Sequence, residues 1–375
     1  MKKELLIIVN EDRFFLSHRS RIATMALEKG WNVYVVTKDT GKRKEVEKLG
    51  AHYIELPINP TGKNLKDELR LFNFLRNLLK KHPHAIIHLV GLKNILWGGL
   101  ANRFAKSKGT LFAVSGLGSM FGENNNKLLN KVLQSFLRFG MNHKNSAVIF
   151  QNKEDMDLFV SNNICNKSKI FFIKGSGVDL NLYKTNLTKN NERLQIVFTA
   201  RMLREKGVEE LIKAAELLRA QYQGKIQFIL CGDISSNPNA LTEKELTELT
   251  DGDYIIWLGH CDNIPEILAQ SDIMCFPSYY REGVPKSLLE ASAAGLPIVT
   301  TDSIGCKDTV DDGKNGLLVP VHSPEAIAKS LDLLINNPEL RKKMSQLSRK
   351  KAEQEYDVEK VAEKHLEIYM GLLNN

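Results

Sequence analysis

Short apolar runs alternate with longer amphipathic stretches along the whole chain. In the first half the apolar runs have the length of buried strands, and clear helical periodicity occupies residues 20–29 and 65–81. This alternation is typical of parallel sheets with crossover helices. The strands predicted in the first half are residues 5–9, 32–37, 53–56, 85–89, 110–114, 147–150 and 170–173.

The same alternation starts again after a polar stretch at residues 183–193, which predicts a linker. The strands predicted in the second half are residues 195–200, 227–231, 254–258, 273–276 and 298–300. A chain of 375 residues is long enough for two cores. We therefore predict two Rossmann-like domains, residues 1–185 and 186–355, and a C-terminal helix over 356–375 that packs back toward the first domain.

The strand predicted at 273–276 leads directly into a helix with features of a phosphate site. Pro285 suits the first turn of a helix, and Gly283 lets the backbone approach a ligand closely. The N–H groups of a first helical turn attract an anion. Glu290 lies one turn further on, where its carboxylate can accept hydrogen bonds from a ribose diol, and Glu282 lies at the mouth of the helix.

Two cations follow the first strand of the second domain and precede a helix predicted to start near Val208. Arg201 offers a planar fork for bidentate phosphate binding, and Lys206 adds a mobile point charge. Together with the glutamate pair in the same domain, they predict a site that neutralises a departing diphosphate.

These motifs resemble those of family-4 retaining glycosyltransferases of the GT-B fold. The resemblance covers about residues 5–370, and it implies two Rossmann-like domains whose parallel sheets face an inter-domain cleft. The chain is most similar to the subgroup that extends polyprenyl-diphosphate-linked oligosaccharides in bacterial polysaccharide and glycoprotein synthesis. The segments that carry the resemblance are Arg201-x4-Lys206, Glu282-x7-Glu290, and residues 14–19, 88–93, 114–119, 151–152, 175–179, 305–308 and 311–320.

The resemblance implies roles for the matching residues. Arg201 and Lys206 would bind the donor diphosphate, Glu290 the ribose, and Glu282 the transferred sugar. The remaining donor-side residues would surround the distal phosphate and the base: Gly283, Val284, Pro285 and His260. The acceptor side would be lined by Ser17, His18, Lys93, Gly116 and Gly118, with His88 as a further candidate. We expect His18 and His88 to lie on loops that face the cleft, with His88 at the end of the strand predicted at 85–89.

The implied reaction is retaining transfer of a hexose or N-acetylhexosamine from a nucleotide diphosphate, with UDP preferred, to a lipid-linked glycan. The histidines show no metal-binding spacing, and Asp251-Gly252-Asp253 lies in a polar loop without supporting context. Arg201 and Lys206 can do the work of a divalent ion. We therefore expect transfer without a metal or any other cofactor.

Three segments depart from the family pattern. Residues 10–13 contain no glycine where many relatives have two. Gly305-Cys306-Lys307-Asp308 replaces a Gly-Gly-x-Pro-Glu donor loop, and Lys93-Asn94 replaces Lys-Pro. These differences concern the choice of sugar and the shape of the acceptor pocket.

Charge is distributed unevenly along the chain. Residues 1–185 contain 30 Lys and Arg against 15 Asp and Glu, whereas the remainder contains 22 against 29. A basic first half suggests an anionic partner, although a solvated lysine-rich surface would look the same. A helix predicted over 124–143 carries an apolar stripe bordered by Lys127, Lys131 and Arg138. It could lie in a membrane interface or pack on the sheet.

Five cysteines without a CxxC pair indicate a reducing compartment. We therefore expect a cytoplasmic enzyme. The resemblance to the subgroup with lipid-linked acceptors implies that it is peripheral on the inner face of the cytoplasmic membrane, and we expect no nucleic-acid partner. Two alternatives stay open. One is a sugar-nucleotide epimerase or hydrolase of the same fold, which needs no acceptor. The other is a non-enzymatic basic protein that binds membrane or nucleic acid.

Overall fold

A computed structural model of the chain describes residues 3–59, 64–117, 127–183, 192–235 and 237–375. The chain forms two compact units. The first comprises Met1–Ser176 together with Val358–Asn375, and the second is Gly177–Asp357. The change of unit thus comes a few residues before the predicted boundary at 185, and the last helix is part of the first unit.

The first unit contains a parallel sheet with all seven predicted strands. They are β1 (Glu4–Glu11), β2 (Asn32–Lys38), β3 (His52–Glu55), β4 (Ile86–Val90), β5 (Gly109–Val114), β6 (Ser146–Phe150) and β7 (Ile170–Phe172). Their order is β3-β2-β1-β4-β5-β6-β7. β1 is buried on both faces, as an inner strand of a parallel sheet must be when helices cover both sides.

Seven helices of this unit connect the strands: α1 (Asp12–His18), α2 (Ser20–Glu28), α3 (Arg43–Lys48), α4 (Leu65–Lys81), α5 (Leu92–Ala105), α6 (Lys127–Met141) and α7 (Lys153–Ser161). Side chains alternate across a strand, so successive residues of β1 enter different cores. Leu5 and Ile7 join the core that contains α2, whereas Leu6 and Ile8 join the core that contains α4 and α5.

The second unit contains a parallel sheet of six strands: β8 (Leu194–Thr199), β9 (Ile226–Cys231), β10 (Ile255–Trp257), β11 (Ile273–Phe276), β12 (Ile298–Thr301) and β13 (Gly316–Val319). Their order is β10-β9-β8-β11-β12-β13. The last strand was not predicted, because it begins with a glycine after a turn-rich segment. That glycine is required, since a Cβ on Gly316 would lie 2.2 Å from the carbonyl oxygen of Ile298.

The described residues of this unit form six helices: α8 (Val208–Tyr222), α9 (Glu243–Leu249), α10 (Ile264–Gln270), α11 (Lys286–Ala293), α12 (Pro324–Asn336) and α13 (Pro338–Lys351). A π-helical turn over Ala352–Tyr356 then leads to α14 (Val358–Asn374). In the described part of the chain, no helix has both the length and the apolar character needed to cross a bilayer.

The helix α14 packs in the first unit. Tyr369 is fully buried there beside the Trp31 ring, and Glu359 forms an ion pair of 2.6 Å with Arg21 of α2. The predicted helix at the C-terminus therefore exists, and it completes one face of the first sheet.

Each sheet has a point where the strand order reverses. In the first unit this point lies between β1 and β4, and in the second between β8 and β11. Ligands of open α/β sheets bind at the carboxyl ends of the strands at such a point. The loops that follow these four strands are therefore where a site is expected.

Candidate functional site

The loops that follow β8 and β11 are held together in the second unit. The N–H groups of Tyr279 and Tyr280 both donate to the carbonyl oxygen of Glu205, at 3.0 and 3.1 Å. Gly207 has φ +79°, and a Cβ there would lie 2.1 Å from the carbonyl oxygen of Pro277. Only glycine allows the two loops to approach this closely.

This contact brings Lys206 and Glu282 together. Their side chains form an ion pair of 2.7 Å, and each is only 14 % exposed. The Ser278 hydroxyl donates to the same Glu282 carboxylate at 3.1 Å. The Lys206 ammonium also lies 5.6 Å from the Phe276 ring centre and 5.5 Å from that of Tyr280. A sheltered cation and carboxylate are therefore fixed at the point where the strand order reverses.

Arg201 differs from Lys206 in its surroundings. It follows β8 and is exposed, and its side chain has no hydrogen bond or ion pair with any other residue in the described ranges. Burial raises the pKa of Tyr280, and the nearby Arg201 charge opposes that rise. The site therefore combines one paired cation with one guanidinium that can turn toward an anion.

The helix α11 begins one residue later than predicted. Pro285 is its N-cap residue, with φ −62° and ψ 124°, rather than a member of its first turn. Gly283 is buried and Val284 partly buried at the mouth of the helix. The loop after β12 packs against them, since a Cβ on Gly305 would lie 2.4 Å from the carbonyl oxygen of Gly283. The helix mouth is thus bounded by a second loop.

Glu290 is partly buried on α11, with the Tyr183 hydroxyl nearby. Burial raises the pKa of its carboxyl group, while Lys286 and the Tyr183 hydroxyl counteract that rise. Tyr183 itself is only 6 % exposed. Its assignment to a linker was wrong, and the only signal in the sequence was an aromatic residue at the start of a polar stretch.

His260 lies after β10. In the sheet β9 separates β10 from β8, so His260 is not in the loops that hold the Lys206–Glu282 pair. Its ring is exposed and lies 3.2 Å from Asp233 and 3.1 Å from Asp262. Gly232, which sequence reasoning missed, follows β9 nearby. A Cβ on Gly232 would lie 1.7 Å from the Ala200 carbonyl oxygen, and the Trp257 indole donates to the Gly232 carbonyl at 2.9 Å.

The predicted acceptor residues of the first unit include Ser17 and His18. They lie in the last turn of α1, so the expectation that His18 lies on a loop was wrong. The Ser17 hydroxyl is 2.6 Å from His18 Nδ1, and the imidazole stacks on Phe14 at 4.2 Å. At the start of α1, the buried carboxylate of Asp12 accepts hydrogen bonds from the N–H groups of Thr40 and Lys42. These bonds fix a turn that has no glycine.

Lys93 lies in the first turn of α5, after β4. Its ammonium donates to the carbonyl oxygen of Asn59 at 2.7 Å and pairs with Glu68 at 2.5 Å. The adjacent Asn94 donates to Asn10 at 2.8 Å and so connects the ends of β4 and β1. Gly116 follows β5 with φ +103°. Gly118 lies outside the described residues.

His88 does not face a site. It lies inside β4, fully buried, and its Nδ1 is 2.7 Å from the Tyr369 hydroxyl. Burial lowers its pKa well below the ordinary value, as do His365 and Arg19 nearby. Its predicted place on a loop was wrong, because a histidine in the middle of an apolar run belongs to the strand.

Among the described residues, no group of three or more His, Cys, Asp or Glu side chains is arranged to hold a metal ion. Asp251 instead stabilises a turn. Its carboxylate accepts hydrogen bonds from the N–H groups of Asp253, Tyr254 and Ile255, and it pairs with Arg219 at 2.6 Å. It fixes the turn that leads into β10.

Two family descriptions match the chain over most of its length. Residues 181–351 match "Glycosyl transferases group 1", and residues 4–152 match "Glycosyl transferase 4-like". Both halves of the chain thus match glycosyltransferase families, and the chain is a glycosyltransferase. The family and the enzyme class predicted from the sequence are thereby confirmed.

Two named relatives align with most of this glycosyltransferase. The N,N'-diacetylbacillosaminyl-diphospho-undecaprenol alpha-1,3-N-acetylgalactosaminyltransferase of Campylobacter jejuni is 26 % identical, with 92 % of each chain covered. The UDP-Gal:alpha-D-GlcNAc-diphosphoundecaprenol alpha-1,3-galactosyltransferase of Escherichia coli is 24 % identical, with 83 % of this chain and 81 % of the relative covered.

A solved structure confirms the fold. The crystal structure of a glycosyltransferase from Rickettsia africae has a TM-score of 0.80 at 21 % identity, and the match covers 100 % of this chain and 99 % of that one. The two parallel sheets are those of the GT-B fold, as predicted.

Proposed function

We propose that this glycosyltransferase moves a hexose or N-acetylhexosamine from UDP to a glycan linked to a polyprenyl diphosphate, with retention of configuration. The names of both relatives describe transfer to a sugar on diphosphoundecaprenol, and one specifies a UDP-linked donor. Both also describe an alpha linkage. Because UDP-galactose carries its sugar in the alpha configuration, an alpha product corresponds to retention.

The observation that carries this proposal is the Lys206–Glu282 ion pair beside the exposed Arg201, at the point where the second sheet reverses its strand order. The donor diphosphate is dianionic, and two cations at this position offset its charge. Glu290, on the helix that follows, is placed to accept hydrogen bonds from the ribose hydroxyls. Glu282 faces the transferred sugar, whose anomeric carbon becomes positive in the transition state.

In the proposed reaction, the bond between the anomeric carbon and the phosphate oxygen breaks while the acceptor oxygen bonds to the same face of that carbon. The acceptor hydroxyl gives its proton to the departing phosphate oxygen, so the products are the glycoside and UDP. A double displacement needs a carboxylate nucleophile. The carboxylate that the proposal places at the sugar is that of Glu282, and its pairing with Lys206 and Ser278 lowers its nucleophilicity.

The test is a transfer assay with UDP-hexoses and UDP-N-acetylhexosamines and an undecaprenyl-diphosphate-linked sugar. We expect one donor to be consumed with formation of an alpha-linked product, identified by NMR of the anomeric proton. Consumption of the donor at the same rate without acceptor would instead identify a hydrolase or epimerase. A beta-linked product would contradict retention.

The same assay in excess EDTA tests the role of the two cations. We expect the rate to be unchanged, because Arg201 and Lys206 supply the positive charge that a divalent ion supplies elsewhere. Loss of activity that Mg²⁺ or Mn²⁺ restores would contradict this part of the proposal.

A lipid-linked acceptor requires the enzyme to reach a membrane surface. The neighbouring helices α4, α5 and α6, here named the layer α4–α5–α6, form a protein surface that is suited to this contact. Six large apolar side chains on these helices are between 43 and 69 % exposed. They are Leu65, Leu69, Phe104, Val132, Phe136 and Phe139. The apolar stripe predicted on α6 is only partly buried. Leu137 is fully buried in the core, whereas Val132 and Phe136 face outward. Neither α5 nor α6 contains an acidic residue.

We accordingly expect this layer to dock on an anionic leaflet at the inner face of the cytoplasmic membrane. Each Lys or Arg near such a surface contributes about 1 kcal/mol, and buried apolar side chains add to it. The double variant Lys131→Glu, Phe136→Ser should therefore bind anionic vesicles at least about tenfold more weakly in a co-sedimentation assay. Donor binding in the second unit should be unchanged.

The matched control is Lys44→Glu on α3, which makes the same change of charge on the other face of the sheet. It should bind vesicles like the wild type. Equal binding to neutral and anionic vesicles, or equal loss in both variants, would mean that the basic layer has another purpose.

A further inference from the structure

A cavity of about 580 Å³ lies in the first unit at the carboxyl ends of β2 and β3. It is open to solvent and is bordered on one side by the loop segment 56–59 and on the other by the first turns of α4. Its polar and aromatic lining consists of Lys38, Glu55, Asn59, Asp67, Arg70 and Phe74. The volume is in the range of pockets that bind small ligands.

The charged side chains of this cavity are not paired with one another. Lys38, Glu55, Asp67 and Arg70 form no ion pair or side-chain hydrogen bond with any other residue that the structure describes. Two cations and two carboxylates around one space neither attract an anion nor suit an apolar molecule. They suit a neutral ligand that offers many hydroxyl groups, each of which can donate and accept. Phe74 is partly buried and adds an apolar surface.

The wall of the cavity is connected by a hydrogen bond to Lys93, one of the predicted acceptor residues. The wall ends at Asn59, whose carbonyl oxygen accepts from Lys93 at 2.7 Å. Lys93 is in turn held by Glu68, which also accepts from the Trp97 indole at 2.5 Å. Lys93, in the first turn of the helix that follows β4, therefore fixes the wall of the cavity.

We propose that this cavity, here named the β2–β3 pocket, binds a sugar of the acceptor beyond the one that receives the new bond. This inference rests on the proposed function, since it assigns a specificity pocket for the same acceptor. In it, Lys38 and Asp67 hydrogen-bond to hydroxyl groups of that sugar, and Phe74 contacts its apolar face. Lys93 is then a positioning residue for the pocket wall, which explains its Glu68 and Asn59 contacts.

The test compares two lipid-linked acceptors, one with a single sugar and one with three. Hydrogen bonds to charged groups are strong, so Lys38→Ala and Asp67→Ala should each raise KM for the longer acceptor about tenfold. The single-sugar acceptor, the donor KM and kcat should be unaffected. Lys44→Ala on α3 is the matched control and should change nothing. Unchanged KM in both variants, or an equal rise for both acceptors, overturns the proposal.

A second measurement does not depend on transfer. The trisaccharide released from the longer acceptor is added to the protein, and its binding is followed by saturation-transfer NMR. The wild type and Lys44→Ala should bind it, and Asp67→Ala should bind at least about fivefold more weakly. Equal binding by all three proteins overturns the pocket. Absence of transfer in the wild type would contradict the proposed function alone, because this binding measurement still decides on the pocket.

Discussion

The variant Lys206→Ala is expected to lower kcat by about 10²–10³-fold at saturating donor, because a preorganised group that stabilises developing charge typically contributes that much. The leaving diphosphate loses a cation that two aromatic rings and Glu282 hold in place. Steady-state kinetics with the UDP-sugar measures the effect, and circular dichroism checks that the fold is retained.

The matched control for this prediction is Lys213→Ala, which removes an exposed lysine from the helix that follows the same loop. It should retain full activity. The double variant Lys206→Ala, Glu282→Gln removes the carboxylate charge that the single variant leaves without its cation. Recovery of activity in this double variant would mean that the loss in Lys206→Ala comes from the unpaired carboxylate and not from the missing cation. Activity above about a third of wild type in Lys206→Ala would contradict the assignment.

Gly207→Ala should have the second-largest effect, since it separates the loops that hold Lys206 and Glu282. The added Cβ would lie 2.1 Å from the Pro277 carbonyl oxygen. Forcing a methyl group into such a contact costs about 1–3 kcal/mol of the free energy of unfolding. A displacement of about 1 Å in a site can lower the rate about 10²-fold. Chemical denaturation and transfer kinetics measure the two effects.

Gly224→Ala separates steric clash from backbone strain. Gly224 follows the other end of α8 with φ +78°, close to the +79° of Gly207, but a Cβ there meets nothing within 4 Å. Both variants therefore have the same backbone strain at positive φ, and only Gly207→Ala also has a steric clash with the Pro277 carbonyl oxygen. Similar stability and activity of the two proteins would show that the close approach of the two loops is unimportant.

The place of Arg201, Lys206 and Glu282 in the fold could be predicted from the sequence, because each lies in a loop a few residues after a strand. Arg201 and Lys206 directly follow one strand, and Glu282 directly follows another, so strand prediction alone placed them at one edge of the sheet. The contacts of Tyr183 and Gly232 could not be predicted in this way. Each depends on a partner far away in the chain, Glu290 for the tyrosine and Ala200 for the glycine.

The acceptor side was harder to predict for a different physical reason. Several polar residues in this part of the chain form contacts that stabilise the fold. Asp12 replaces the expected glycines by accepting backbone hydrogen bonds, and His88 serves a buried contact with Tyr369. A sequence motif gives the position of such residues along the chain, but the direction of each side chain is decided by tertiary contacts.

The placement of α14 has a consequence for biosynthesis. The first unit contains the beginning of the chain, but its Tyr369 and Glu359 are translated only after all of Gly177–Asp357. At about 5–20 residues per second, the ribosome needs roughly 10–40 s to make that intervening stretch. Throughout this interval the nascent first unit has one apolar face of its sheet incompletely covered. The second unit, although it emerges later, is the one that can finish folding first.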